Sequence, residues 1–209
     1  MVRTRCGRLP FLRSRYAGCL ARRAAGQRQE LIIDTDQRAH RHGGHDRHRL
    51  PFDPIEAAAR TWEQRWPDRP RMEAVTSLMR VHQLVITELD ELLRPLDLTF
   101  ARFEVLVLLS FSRRGALPLG KIGERLQVHA TSVTPLVKRL ETSGYLTRNR
   151  HPEDGRAVLA EITASGRAVT ERASSLITDA RFGLGSLDED ECRALTAILA
   201  RPRAAAGDF

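Results

Sequence analysis

Lysine is almost missing from this 209-residue chain: among 34 basic side chains only Lys121 and Lys138 are lysines. Arginine and alanine take the space, the bias that a GC-rich coding sequence produces. Cysteine is equally scarce. Cys6, Cys19 and Cys192 are odd in number and scattered, with no Cys-x-x-Cys spacing, which argues against a disulfide framework or a zinc site and for a reducing, cytoplasmic setting. Long apolar runs are absent too, the longest being Val105 to Leu109, against roughly 20 residues for a membrane-spanning helix. No membrane partner is expected. Catalytic signatures are also lacking: there is no Gly-x-Ser-x-Gly, phosphate-cradling loop, dinucleotide fingerprint or His-Glu-x-x-His, and no carboxylate pair spaced for a cleft. The expectation is a protein that is not an enzyme and carries no cofactor.

What is present is charge, and its position matters more than its sum. The formal net charge is +8, yet residues 1–49 hold 12 arginines against 4 acids and so account for all of it. From Leu50 onward 22 basic and 22 acidic residues balance. Within that neutral remainder, residues 113–156 carry 9 basic and 4 acidic side chains, while the stretches on either side are slightly acidic. One central segment is therefore the positive one, as a nucleic-acid contact requires.

Residues 1–49 lack helical or strand periodicity and read as a disordered basic tail. Two other readings stand beside this one. The first 29 residues contain no acid, as in an organellar transit peptide. Alternatively the segment is a start-site artefact: no methionine lies between Met1 and Met72, and a non-Met start would fall at a position such as Leu31 or Leu50. The spacing His40-x-His42-x-x-His45-x-x-His48 suits metal ligation, but an Arg-rich segment without a fold preorganises no site, and no metal is expected.

Residues 50–209 read as a single helical domain. A short helix runs from Asp53 to Trp66, stopped by Pro67 and Pro70. Met72, Val75, Met79, His82, Ile86, Leu89 and Leu93 then share one stripe of a long helix, which makes His82 a core histidine by position. Thr99 caps the next helix, apolar through Phe100, Phe103, Leu106, Val107 and Leu109. Leu119, Ile122 and Leu126 mark a short amphipathic helix, and after Gln127-Val128-His129 a second one buries Val133, Leu136, Val137 and Leu140 and stops at Gly144. Two strands, Tyr145 to Arg150 and Ala157 to Ile162, flank a polar loop as a hairpin wing. Thr163 opens another helix with Ala168, Leu176, Ile177 and Ala180 inward. Ser186 and Glu189 form a capping box for the last, whose apolar side is Leu195, Ile198 and Leu199. The fold class is mostly α with a small β-hairpin wing.

With those four apolar residues inward, Thr131, Ser132, Thr134, Pro135, Lys138 and Arg139 turn outward. A helix that enters the major groove needs short hydroxyl-bearing side chains near its start to approach base edges, and cations to hold phosphates. Pro135 removes an N–H inside this helix and is expected to kink it or to move its effective start towards Thr134. In the wing, Arg148, Arg150 and Arg156 add cations. Arg156 is expected to probe the minor groove, with Asp154 bracing its guanidinium.

The order of these elements, together with His129-Ala130-Thr131-Ser132-Val133-Thr134, Lys138-Arg139-Leu140-Glu141, Gly144-Tyr145-Leu146 and Asp154-Gly155-Arg156, resembles the MarR family of regulators over about residues 53–201. The resemblance implies a winged helix-turn-helix at 99–162, dimerisation helices at 53–98 and 163–201, and a homodimer on double-stranded DNA. It also implies a repressor released by a small-molecule effector or a stress signal. Trp62 and Trp66 are expected at the dimer interface. Thr134-Pro135-Leu136-Val137-Lys138-Arg139-Leu140 is similar to the peroxide-sensing branch, but that branch senses through a cysteine in its first long helix, and Met72 to Arg94 has none. The family also usually sets a basic residue before the last wing arginine, where Gly155 stands here. Two rival readings remain: a winged module that binds protein without DNA, and an enzyme with an unfamiliar site.

Overall fold

The architecture follows from where the chain can bury apolar side chains once its helices are capped. In the computed structural model residues 50–150 and 157–209 are described. Asp53 accepts the amides of Ile55 and Glu56 and starts α1 (Pro54–Glu63), three residues shorter than the expected end at Trp66. Helix α2 (Arg69–Leu93) begins before Met72 because Pro70 suits a first turn, where its missing N–H costs nothing. A single 3₁₀ turn, Arg94–Leu96, links it to α3 (Phe100–Phe111), capped by the Thr99 hydroxyl as expected.

Helix α3 is the centre. Phe103, Val105, Leu106 and Leu109 are buried, and the helix packs on α5, α6 and the sheet. That sheet holds three strands where the sequence suggested two. Strand β1 (Ala116–Pro118) pairs antiparallel with β3 (Val158–Ile162), which pairs in turn with β2 (Leu146–Arg150). Three residues around a proline show no alternation to read, so only the partner strand reveals β1. Helices α4 (Leu119–Leu126) and α5 (Ala130–Thr142) follow, joined through Gln127, whose φ of 51° puts it in the left-handed region.

Helix α6 (Ala164–Asp179) is rotated from its expected setting. Gly166, Val169, Thr170, Ala173 and Ile177 face inward, while Ala168 and Leu176 are exposed. The close approach of Gly166 to the Tyr145 carbonyl sets this rotation: a Cβ there would lie 2.0 Å from that oxygen. The Thr163 and Ser165 hydroxyls both donate to the Gly144 carbonyl at 2.8 Å and bolt the start of α6 to the turn before β2.

Helix α7 (Glu189–Ala205) is capped by Asp188 with Glu191, correcting the expected Ser186 and Glu189 pair. An Asp188 cap accepts the Glu191 amide and brings three carboxylates into the first turn, where the helix dipole favours them. No residue of α7 is buried.

The long stripe of α2 also behaves differently along its length. Leu89 and Leu93 are buried, but Val75 and Met79 are exposed, and so is His82, which is not a core histidine in this protomer. Its ring lies 3.4 Å from the Gln83 amide.

Candidate nucleic-acid interface

Helix α5 presents two unlike faces. Val133, Val137 and Leu140 are fully buried and Leu136 is half-buried, anchoring it against α3 and α4. Thr131, Ser132, Thr134, Pro135, Lys138 and Arg139 are all exposed, so the structure gathers the six sequence candidates on one outer surface. The helix runs unbroken from Ala130 through Pro135 to Thr142. The expected shift of its start towards Thr134 does not occur, because the first turn is held from outside by its cap. His129 supplies that cap: its Nδ1 accepts the Thr131 amide at 3.3 Å and lies 2.8 Å from the Thr131 hydroxyl.

At the other end, the Ser143 hydroxyl donates to Asp97 at 2.8 Å and the Tyr145 hydroxyl donates to the Leu96 carbonyl at 3.2 Å. The last turn of α5 is thereby fastened to the connector between α2 and α3. Gly144, at φ 72°, makes the reversal into β2 that an L side chain resists.

Of the wing candidates, Arg148 and Arg150 are exposed on β2. The Arg148 guanidinium meets Glu141 through Nε at 2.7 Å and a terminal nitrogen at 2.6 Å, tying the strand to the last turn of α5. Across the hairpin the Asn149 amide donates to Glu161 at 3.2 Å. Asp154 and Arg156 lie outside the described residues, as do the tail histidines. His129 and Glu141 are the contributors that sequence reasoning missed. The position before Ala130 was the available signal for His129, but histidine is not among the strong capping types.

Two open pockets among the described residues are lined in part by α7. One of about 550 Å³ lies among Leu78 of α2, Gln127 between α4 and α5, and Leu199, Pro202 and Arg203 of α7. The other, of about 630 Å³, is lined by Arg181, Leu184, Cys192 and Arg193. Among the described residues no cluster of three metal-ligating side chains is found, and no helix is long and apolar enough to cross a membrane.

Comparison with known proteins agrees with this geometry. The MarR family model matches residues 98–158, the stretch from the start of α3 into β3. A curated relative, the organic hydroperoxide resistance transcriptional regulator of Bacillus subtilis, is 32% identical over 108 residues, covering 52% of this chain and 71% of that protein. The regulator SarZ of Staphylococcus aureus is 31% identical over 85 residues, 41% of this chain and 56% of its own. Among solved structures, a MarR family transcriptional regulator from Streptomyces coelicolor is 49% identical with a TM-score of 0.63, covering 67% of this chain and 97% of the other. A cysteine-to-serine variant of MarR from E. coli, solved in complex with operator DNA, is 29% identical with a TM-score of 0.56, covering 60% and 90%.

Proposed function

This chain belongs to the MarR family of transcriptional regulators, and from that premise we propose that it reads specific double-stranded DNA as a homodimer and acts as a repressor that a small-molecule or stress signal releases. The observation that carries the reading is the outer face of α5, short and hydroxyl-bearing at its start and cationic at Lys138 and Arg139, on a helix anchored by three fully buried residues. Base edges are read by short polar side chains, and phosphates are held by cations beside them. The relative solved with operator DNA supports the same use of the fold. Residues 99–162 are the winged region in this proposal, and 53–98 with 163–201 form the dimerisation helices.

In this reading Thr131, Ser132 and Thr134 face bases, while Lys138, Arg139 and Arg150 face phosphate. Arg148 works with Glu141 to hold the wing strand to α5. Arg156 remains the proposed minor-groove probe and Asp154 its brace. The pocket beside Gln127 is a suitable place for an effector, because it touches both the reading region and α7.

The test is selection of bound duplexes from a random pool, followed by a salt titration of wild type and Lys138→Ala on the winner. The expected outcome is one enriched sequence with two-fold symmetry, and a salt slope lower by about two in the variant, since one phosphate contact is lost in each half-site of the dimer. Binding that ignores salt, or no enrichment at all, would leave the rival protein-binding module as the better account.

A further inference from the structure

Resting on the reading of α5 as the helix that meets base edges, we propose that His129 is a specificity-determining residue: it fixes the hydrogen-bonding polarity of Thr131, so that Thr131 reads amino bases in preference to keto bases. The argument starts from the cap. A backbone amide can only donate, and the Thr131 amide points at His129 Nδ1 at 3.3 Å. Nδ1 satisfies it only by carrying no proton, which places the proton of the neutral ring on Nε2. A proton on Nδ1 would instead set two donors against each other and leave the first turn of α5 uncapped.

The same nitrogen lies 2.8 Å from the Thr131 hydroxyl oxygen. Since Nδ1 has no proton to give, the hydroxyl must be the donor in that contact. A threonine hydroxyl has one proton and two lone pairs. With its proton engaged by His129, Thr131 offers lone pairs only to whatever approaches its exposed side. It is an acceptor by construction.

The consequence for DNA is specific. In the major groove adenine N6 and cytosine N4 are the donors, whereas guanine and thymine offer acceptors at O6, N7 and O4. Every base pair carries one amino base, so the preference is for the strand on which that base stands. At the position facing Thr131, A or C is favoured over G or T. A threonine whose proton was free would accept either class, because its hydroxyl rotates to suit. His129 thus converts an ambiguous reader into a polar one without touching the base.

The experiment is random-pool selection, repeated with wild type, Thr131→Val, His129→Ala and His129→Asn, each first shown to be folded by circular dichroism. Thr131→Val marks the position concerned, as the one where discrimination is lost. There wild type should enrich A and C over G and T by about three- to tenfold, the worth of one hydrogen bond. His129→Asn supplies a carbonyl acceptor for both the amide and the hydroxyl, and should keep the amino preference. His129→Ala should flatten it to near equality at that one position while the rest of the site stays as in wild type. A guanine or thymine preference at the marked position would overturn the inference, as would an amino preference that survives in His129→Ala or a Thr131→Val profile identical to wild type. These results leave the protein a sequence-specific regulator. Absence of any selected sequence with wild type would instead overturn the functional reading and this inference together.

Discussion

Glu104 shows how one side chain carries a cost that the fold tolerates. It sits half-buried on α3, and burial pushes its carboxyl above the usual range. The folded chain thus binds the carboxyl proton more tightly than the unfolded chain does. Its unfavourable contribution is absent at low pH, where both states are protonated. It grows as pH rises from the unfolded value through the folded one, and is complete above that. Glu104→Gln is accordingly expected to raise the thermal midpoint at about pH 7, with the gain shrinking to nothing below about pH 4. Melting curves across that range check the sign; a gain of equal size at both ends would assign the effect to packing instead.

At the scale of elements, one tight junction determines how the sheet meets α6. The Tyr145 carbonyl accepts the Thr163 amide, and the Gly144 carbonyl accepts the Thr163 and Ser165 hydroxyls. Gly166 leaves the space for this close approach. Gly166→Ala should therefore destabilise the fold by about 1–3 kcal/mol, the typical cost of overpacking. Gly120 in α4 has nothing within 4 Å of where a Cβ would stand. Gly120→Ala should be neutral or stabilising by about 0.4–1 kcal/mol through the entropy of the unfolded chain. Denaturant midpoints at unchanged slope measure both, and equal effects from the two substitutions would contradict the close-approach account. The same junction explains why α6 departs from its apparent stripe: alanine, leucine and isoleucine at helical spacing mark one face, whereas a glycine and a carbonyl select another.

At the scale of the whole molecule, burial among the described residues is uneven in the helices that flank the winged region. Helix α6 buries Val169, Ala173 and Ile177 within its own protomer and leaves Leu176 at its surface. Helix α7 buries nothing, Ile198 is 62% exposed, and Val75, Leu78, Met79, Val81 and Leu84 of α2 stand open. Apolar side chains repeated over two helices are a surface that a second copy covers, and two-fold pairing is the commonest way to do so. The stretch of α2 from Val75 to Leu84 thus joins α1, α6 and α7 in the proposed interface. The expected result is a homodimer by sedimentation at micromolar concentration, with Leu84→Asp and Ile198→Asp each shifting it towards monomer and lowering DNA affinity, since two reading helices must stand about one DNA turn apart. Variants that sediment and bind as wild type would refute this arrangement.

The amino-acid sequence alone determined the helix order, the cap at Thr99, the helix starts at Asp53 and Thr163, the turn at Gly144 and the division of α5 into an anchored and an exposed face. These are local matters, decided by residue type and by a period of 3.6 along a continuous stretch. Family likeness was legible for the same reason, because most of its words lie along α5 and the turn and strand that follow. Tertiary structure alone decided the pairing of β1, the rotation of α6, the exposure of His82, the tie between Arg148 and Glu141, and the fastening of α5 to Asp97 and Leu96. All but the exposure of His82 join residues on different elements, in the last case 46 and 49 positions apart. Periodicity within one element is silent about what will face it. That choice belongs to the packing of carbonyls, glycines and rings from distant parts of the chain.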